Sequence, residues 1–238
     1  MNTYEVYYRE NLYPLQDGVM HIIQELNTPF FLTGGTALSR HYFNHRFSDD
    51  LALFVNDFNK FHALLDEILI SFSSDKYEKT FLLDKASIKR YESFSQLFVS
   101  KTLEPEIKLK IDFVNDVAPH YGEFEKNDKL GLIDSWRNIL SNKLTALFRF
   151  EPKDIADIWI IARNKKFSWK SIILEAKTKE AGVEPEVIFN ILKSLPLLEL
   201  SLIKWTIKPD FDKIKNDLNI IANDILFGNE NSLAVRGE

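Results

Sequence analysis

Hydrophobic and polar positions change period along the chain, and each period predicts an element. From Thr3 to Leu26 apolar residues recur at helical spacing, with Pro14 as the expected break. Phe30 to Leu32 is a short apolar run after Pro29 and predicts a buried strand. Thr33-Gly34-Gly35-Thr36 turns the chain into a helix carrying Ala37, Leu38, Tyr42 and His45 near one side. "DLALFV" then alternates as a strand, and Asp57 is placed to cap the helix Phe58 to Phe72. Between Tyr77 and Val114 four stretches alternate with period two. The cleanest is "EIKLKIDFV", where Leu109, Ile111 and Phe113 face one way and Lys108, Lys110 and Asp112 the other. After about Asp134 the period returns to helical almost to the end, and the final "NENSLAVRGE" has no pattern and is expected to fray.

This order predicts an α/β fold with a mixed twisted sheet, then a helical region. The expected domains are 1–125 and 126–238, sharing a cleft, with the change near "HYGEFEKNDKLG". The 238 residues are 45% hydrophobic, enough for a sizeable core. With no cysteine, neither a disulfide nor a thiolate zinc site can form. A net charge of −5 argues against a general nucleic-acid coat but not against a local basic patch. No signal peptide or membrane span is expected, and the cytoplasm is the expected compartment.

Five features could carry chemistry. Two glycines between strand and helix let a backbone approach phosphate, and Thr33, Thr36 and Ser39 could add donors; a tight turn needing φ > 0 explains them as well. Asp50 and Asp112 begin or line strands. As neighbours they could converge on a hard cation; apart, they simply face water. Asp49 should point away from Asp50. Lys143 falls about 20° from Trp136 on a helical wheel, inside the stripe Trp136, Leu140, Leu144 and Leu147, so it must snorkel, pair with an acid or serve a ligand. Asp154 and Asp157 top the apolar face of the helix opened by Pro152, where acids also suit the helix dipole. "ARNKKFSWK" mixes bases with Phe167 and Trp169, a pattern for single-stranded nucleic acid or for a solvated helix end with two core aromatics.

Three segments, "FFLTGGTALSRHYFNHRFSDDLALF", "IKLKIDFV" and "SNKLTALFRFEPKDIADI", resemble in order and spacing the AbiEii/AbiGii-type nucleotidyltransferase toxins, over about residues 29–162. That family is similar to the polymerase-β-like nucleotidyltransferases. The resemblance implies an NTP substrate and Mg²⁺. Gly34, Gly35, Thr36 and Ser48 would hold the nucleotide, Asp50 and Asp112 the metal. Asp112 is the candidate base. Lys143 would lie on the nucleotide, and Asp154 would join the catalytic set. The implied partners are an antitoxin and an acceptor that is RNA, including transfer RNA, or protein, and the implied role is phage defence. One position departs: the family expects a second aspartate where this chain has Ala52. Three explanations stay open: a degenerate member, a site persisting on one cation, or an alanine introduced to disarm a toxin. A non-catalytic nucleotide-, RNA- or partner-binding module is the alternative. A nuclease ranks below both, because no His-x-Asp motif accompanies the acids and His41 and His45 read as helix-surface or core residues.

Overall fold

The cleanest alternation becomes the longest strand. In the computed structural model, which describes residues 3–56, 58–194 and 196–234, β6 spans Glu104–Asn115. Leu109, Ile111 and Phe113 are fully buried on one face. Lys110 and Asp112 lie half-buried on the other. The remaining strands are β1 (Phe31–Thr33), β2 (Leu51–Val55), β3 (Phe81–Leu83), β4 (Lys89–Arg90), β5 (Phe94–Lys101), β7 (Glu125–Asn127) and β8 (Gly131–Ile133). The described residues form one mixed sheet in the order β3-β5-β6-β2-β1-β8-β7, with β4 paired to β5. β2 runs parallel to β6, and β1 parallel to β8; the other pairs are antiparallel.

Two compact units can be distinguished. The first holds Met1–Ala37, Ser48–Val117 and Phe124–Asp134, and so the whole sheet; the second holds Leu38–Phe47, Ala118–Glu123 and Ser135–Glu238. In the first, helix α1 (Thr3–Val6) widens to a π-helical stretch over Tyr7–Leu12 and then becomes α2 (Tyr13–Glu25). The break expected at Pro14 is thus a change of winding. Pro14 falls just past the junction where the π-helical hydrogen bonding gives way to α. Helix α3 is the short turn Gly34–Ala37, and α4 spans Phe61–Phe72. Phe30 packs edge-on against Phe113 of β6 and Phe61 of α4, which holds α4 on the sheet's apolar face. The cap expected at Asp57 lies outside the described residues.

The hairpin β7–β8 was not expected, because its strands are only three residues long and one of them is polar throughout. Its turn is local chemistry: Asn127 Oδ1 accepts from the backbone N–H groups of Lys129 and Leu130, both at 3.0 Å, and Gly131 takes φ +70°. Pairing of Ile133 with Leu32 of β1 then joins the hairpin to the sheet.

In the second unit the helices are α5 (Trp136–Ala146), α6 (Pro152–Asn164), α7 (Trp169–Lys179), α8 (Pro185–Ser194), α9 (Leu197–Leu200) and α10 (Phe211–Phe227). Ser135 caps α5 by accepting from the Asn138 N–H, and Asp210 caps α10. Residues 229–234 do not fray. Asn231 is buried and donates to the carbonyls of Ala162 and Lys165, closing the end of α6. No described helix is long and apolar enough to cross a membrane.

A charged strut runs through this unit. Asp157 is fully buried, and Arg46 grips it with two bonds of 2.7 and 2.8 Å. Nε2 of His45 lies 2.8 Å from the same carboxylate, and Lys143 Nζ 2.6 Å from it. Burial alone would raise the Asp157 pKa. The charges of Arg46 and Lys143 outweigh it and hold the carboxyl well below the usual range. Burial pushes His45 down, against the pull of Asp157, so its ring stays neutral. Its Nδ1 has no hydrogen-bond partner among the described residues, as suits a neutral ring donating only through Nε2.

Asp157→Asn removes the buried carboxylate that pairs with Arg46 and one of the two that hold Lys143. It should lower stability by about 3–5 kcal/mol in urea unfolding. Glu184→Gln, at the exposed pair with Lys177, should cost less than about 1 kcal/mol. A base with a depressed folded pKa binds fewer protons folded than unfolded. Stability should therefore fall as pH drops through the ordinary histidine value of 6.5 toward the folded one. His45→Gln should flatten the urea midpoint between about pH 7 and 5; an unchanged slope would assign the dependence to other groups.

Candidate functional site

At the end of β1 the backbone turns sharply at Gly34, with φ +68°, a conformation that side-chain-bearing residues rarely adopt. Gly35 follows in the first turn of α3. Two hydroxyls tie this bend to the entry of β2. Thr36 donates to the Asp50 carbonyl and lies 2.8 Å from Ser48 Oγ. The Ser48 carbonyl in turn accepts from the buried Gln16 side chain. Gly34, Thr36, Ser48 and Asp50 are thus brought together. A Cβ added at Gly34 would meet the Ala52 Cβ at 3.9 Å, so position 52 lies directly beside the glycine bend.

Strand register places the acids. Thr33, Ala52, Asp112 and Gln96 form one row across β1, β2, β6 and β5. Asp50 stands one step before the Leu51–Ile111 pair, level with Lys110. Lys110 Nζ lies 3.0 Å from Asp50 Oδ2 and 2.8 Å from Asp112 Oδ2. Gln96 donates to the other Asp112 oxygen at 2.8 Å. The two acids therefore converge, and an ammonium sits between them. Burial works to lower the Lys110 pKa, but the hydrogen bonds to Asp112 and Asp50 outweigh it and raise the value. Asp49 points elsewhere, to the buried Tyr8 hydroxyl, whose pKa burial and the carboxylate push up.

Mg²⁺ demands several oxygen ligands in near-octahedral array. Asp50 and Asp112 offer carboxylates already bonded to Lys110, and Ala52 offers none. Among the described residues no group of three acids or histidines is placed to hold a metal. The residues present do not fit a two-cation centre.

Lys143 and Asp154 belong to the second unit. Of the three fates open to a lysine in an apolar stripe, Lys143 takes pairing. Its ammonium lies 2.6 Å from both Asp154 Oδ1 and Asp157 Oδ2. Asp154 is fully buried and also accepts from Arg149 at 2.8 Å. Phe167 and Trp169 are core residues, while Lys165 lies over the rings of Tyr42, Phe43 and Trp136. The bridging role of Lys110, the donor Gln96 and the anchor Arg46 emerge only from the folded chain. Strand alternation already put Lys110 on the face of Asp112, and that was the available signal. Arg46 gave none, because its partner Asp157 lies far along the chain.

Comparison with known proteins supports this fold. JHP933 from Helicobacter pylori shares 20% identity and a TM-score of 0.56, over 89% of this chain and 90% of its own. MenT4, a nucleotidyltransferase toxin from Mycobacterium tuberculosis, shares 13% identity and a TM-score of 0.56, over 90% of this chain and 83% of its own. No curated protein matches the chain in sequence. A family model described as nucleotidyl transferase AbiEii toxin, type IV toxin–antitoxin system, matches residues 21–231. Matched over that length, the chain belongs to the AbiEii nucleotidyltransferase toxin family.

Proposed function

We propose that this protein is a toxin-type nucleotidyltransferase that takes an NTP at the Gly34–Gly35 bend, has an RNA acceptor, transfer RNA included, and is held in check by an antitoxin in the cytoplasm. The observation that carries this reading is the row of Thr33, Ala52, Asp112 and Gln96, which sets the acid face beside the glycine bend. Gly34 and Gly35 would admit phosphate close to the backbone, next to the hydroxyls of Thr36 and Ser48. Asp112, held by Lys110 and Gln96, would accept the proton of the attacking hydroxyl. Lys143 and Asp154 bind each other inside the second unit, and no step is assigned to them.

The family's chemistry draws on Mg²⁺, and here the ligand set falls short by the side chain at position 52. No step is assigned to a cation in this chain. Without that carboxylate the transition state loses charge stabilisation at the transferring phosphoryl group, a loss on the order of a hundredfold or more in rate. The chain would then retain nucleotide binding with little transfer. That is also what a non-catalytic binding module would do, and Ala52 is the feature that favours the module.

Restoring the acid separates the two. Ala52→Asp gives three carboxylates to one ammonium, a balance that favours a divalent cation. With Mg²⁺ and each [α-³²P]NTP, the restored protein should label total RNA at least about a hundredfold faster than the parent. No labelling of any RNA or protein acceptor by the restored chain would leave the binding module as the function.

A further inference from the structure

The charge arrangement at the acid pair goes beyond a missing ligand. Asp50 and Asp112 come from neighbouring parallel strands, and one ammonium bonds to both. Lys110 reaches Asp112 along its own strand, two residues away on the same face, and reaches Asp50 directly across the strand pair. The contact therefore follows from backbone register and not from a chance side-chain excursion. The three side chains are 34, 38 and 21% exposed for Lys110, Asp50 and Asp112, so water screens them only in part. Gln96 fixes the second oxygen of Asp112, which disfavours a bidentate grip on a metal. An incoming dication would have to expel the ammonium or sit beside it, and no carboxylate at position 52 repays either cost.

We propose that Lys110 is the resident cation of this site: its ammonium takes the place of a divalent ion between Asp50 and Asp112 and keeps metal out. The inference deepens the proposed function, since it concerns the same acids, but it is tested without any transfer assay. A failure here is therefore distinct from a failure of Ala52→Asp to label RNA.

The probe is Mn²⁺, titrated into the full chain and followed by water-proton relaxation enhancement. The parent should show no saturable site below about 1 mM. Lys110→Met, which keeps the stem and removes the charge, should bind Mn²⁺ at least about tenfold tighter than the parent. Adding Asp112→Asn to that variant should abolish the gain. Circular dichroism confirms that each variant is folded. Saturable submillimolar binding by the parent that Asp112→Asn removes would overturn the proposal, whether or not Lys110→Met folds. So would a folded Lys110→Met that binds no tighter than the parent.

Discussion

The parallel pairing of β2 with β6 is the constraint on which the first unit's chemistry rests. Its register sets Ala52 opposite Asp112 and Asp50 level with Lys110. A one-residue slip of β2 would turn Asp50 to the apolar face and bring Leu51 and Leu53 out; the same slip of β6 would expose Ile111 and Phe113. Those four are fully buried, so hydrophobic burial enforces the register that the polar face needs. The antiparallel pairing of β1 with β2 extends the row to Thr33 and brings Gly34 beside position 52.

Both units answer the same problem, clustered carboxylates, with the chain's own cations. In the first, one lysine serves two half-exposed acids. In the second, Arg46, Lys143 and Arg149 serve two fully buried ones. The difference in burial decides what each can do. Asp154 and Asp157 are sealed from water, and removing a partner there strands a charge in the interior. Asp50 and Asp112 keep contact with solvent, so their ammonium can be exchanged when the local charge changes. Position 52 controls that charge, and an alanine there leaves the lysine without a competitor.

Much of this was legible in the sequence, where one face of an element is apolar and the other is not. The alternation around Asp112 gave both the strand and its buried side. The strand–Gly-Gly–helix order gave the bend, and the helical stripe gave the oddity of Lys143. What the pattern left open was the partner of each charge. Whether Lys143 snorkels, pairs or binds a ligand depends on α6, and Lys110 becomes a bridge only once β2 is known to lie beside β6. The hairpin at 125–133 escaped because an Asx turn and one main-chain pairing hold it rather than an apolar run. The tail at 229–234 escaped because polar contacts hold it: Asn231 donates to backbone carbonyls and Ser232 to Asp224.

An ammonium occupies the place between Asp50 and Asp112. Crystals of the unaltered chain soaked in Mn²⁺, with data collected for anomalous scattering, put this to the test. Lys110 Nζ should lie within hydrogen-bond distance of both carboxylates, with no anomalous peak between them. A peak bonded to both acids, with Lys110 swung away, would contradict it.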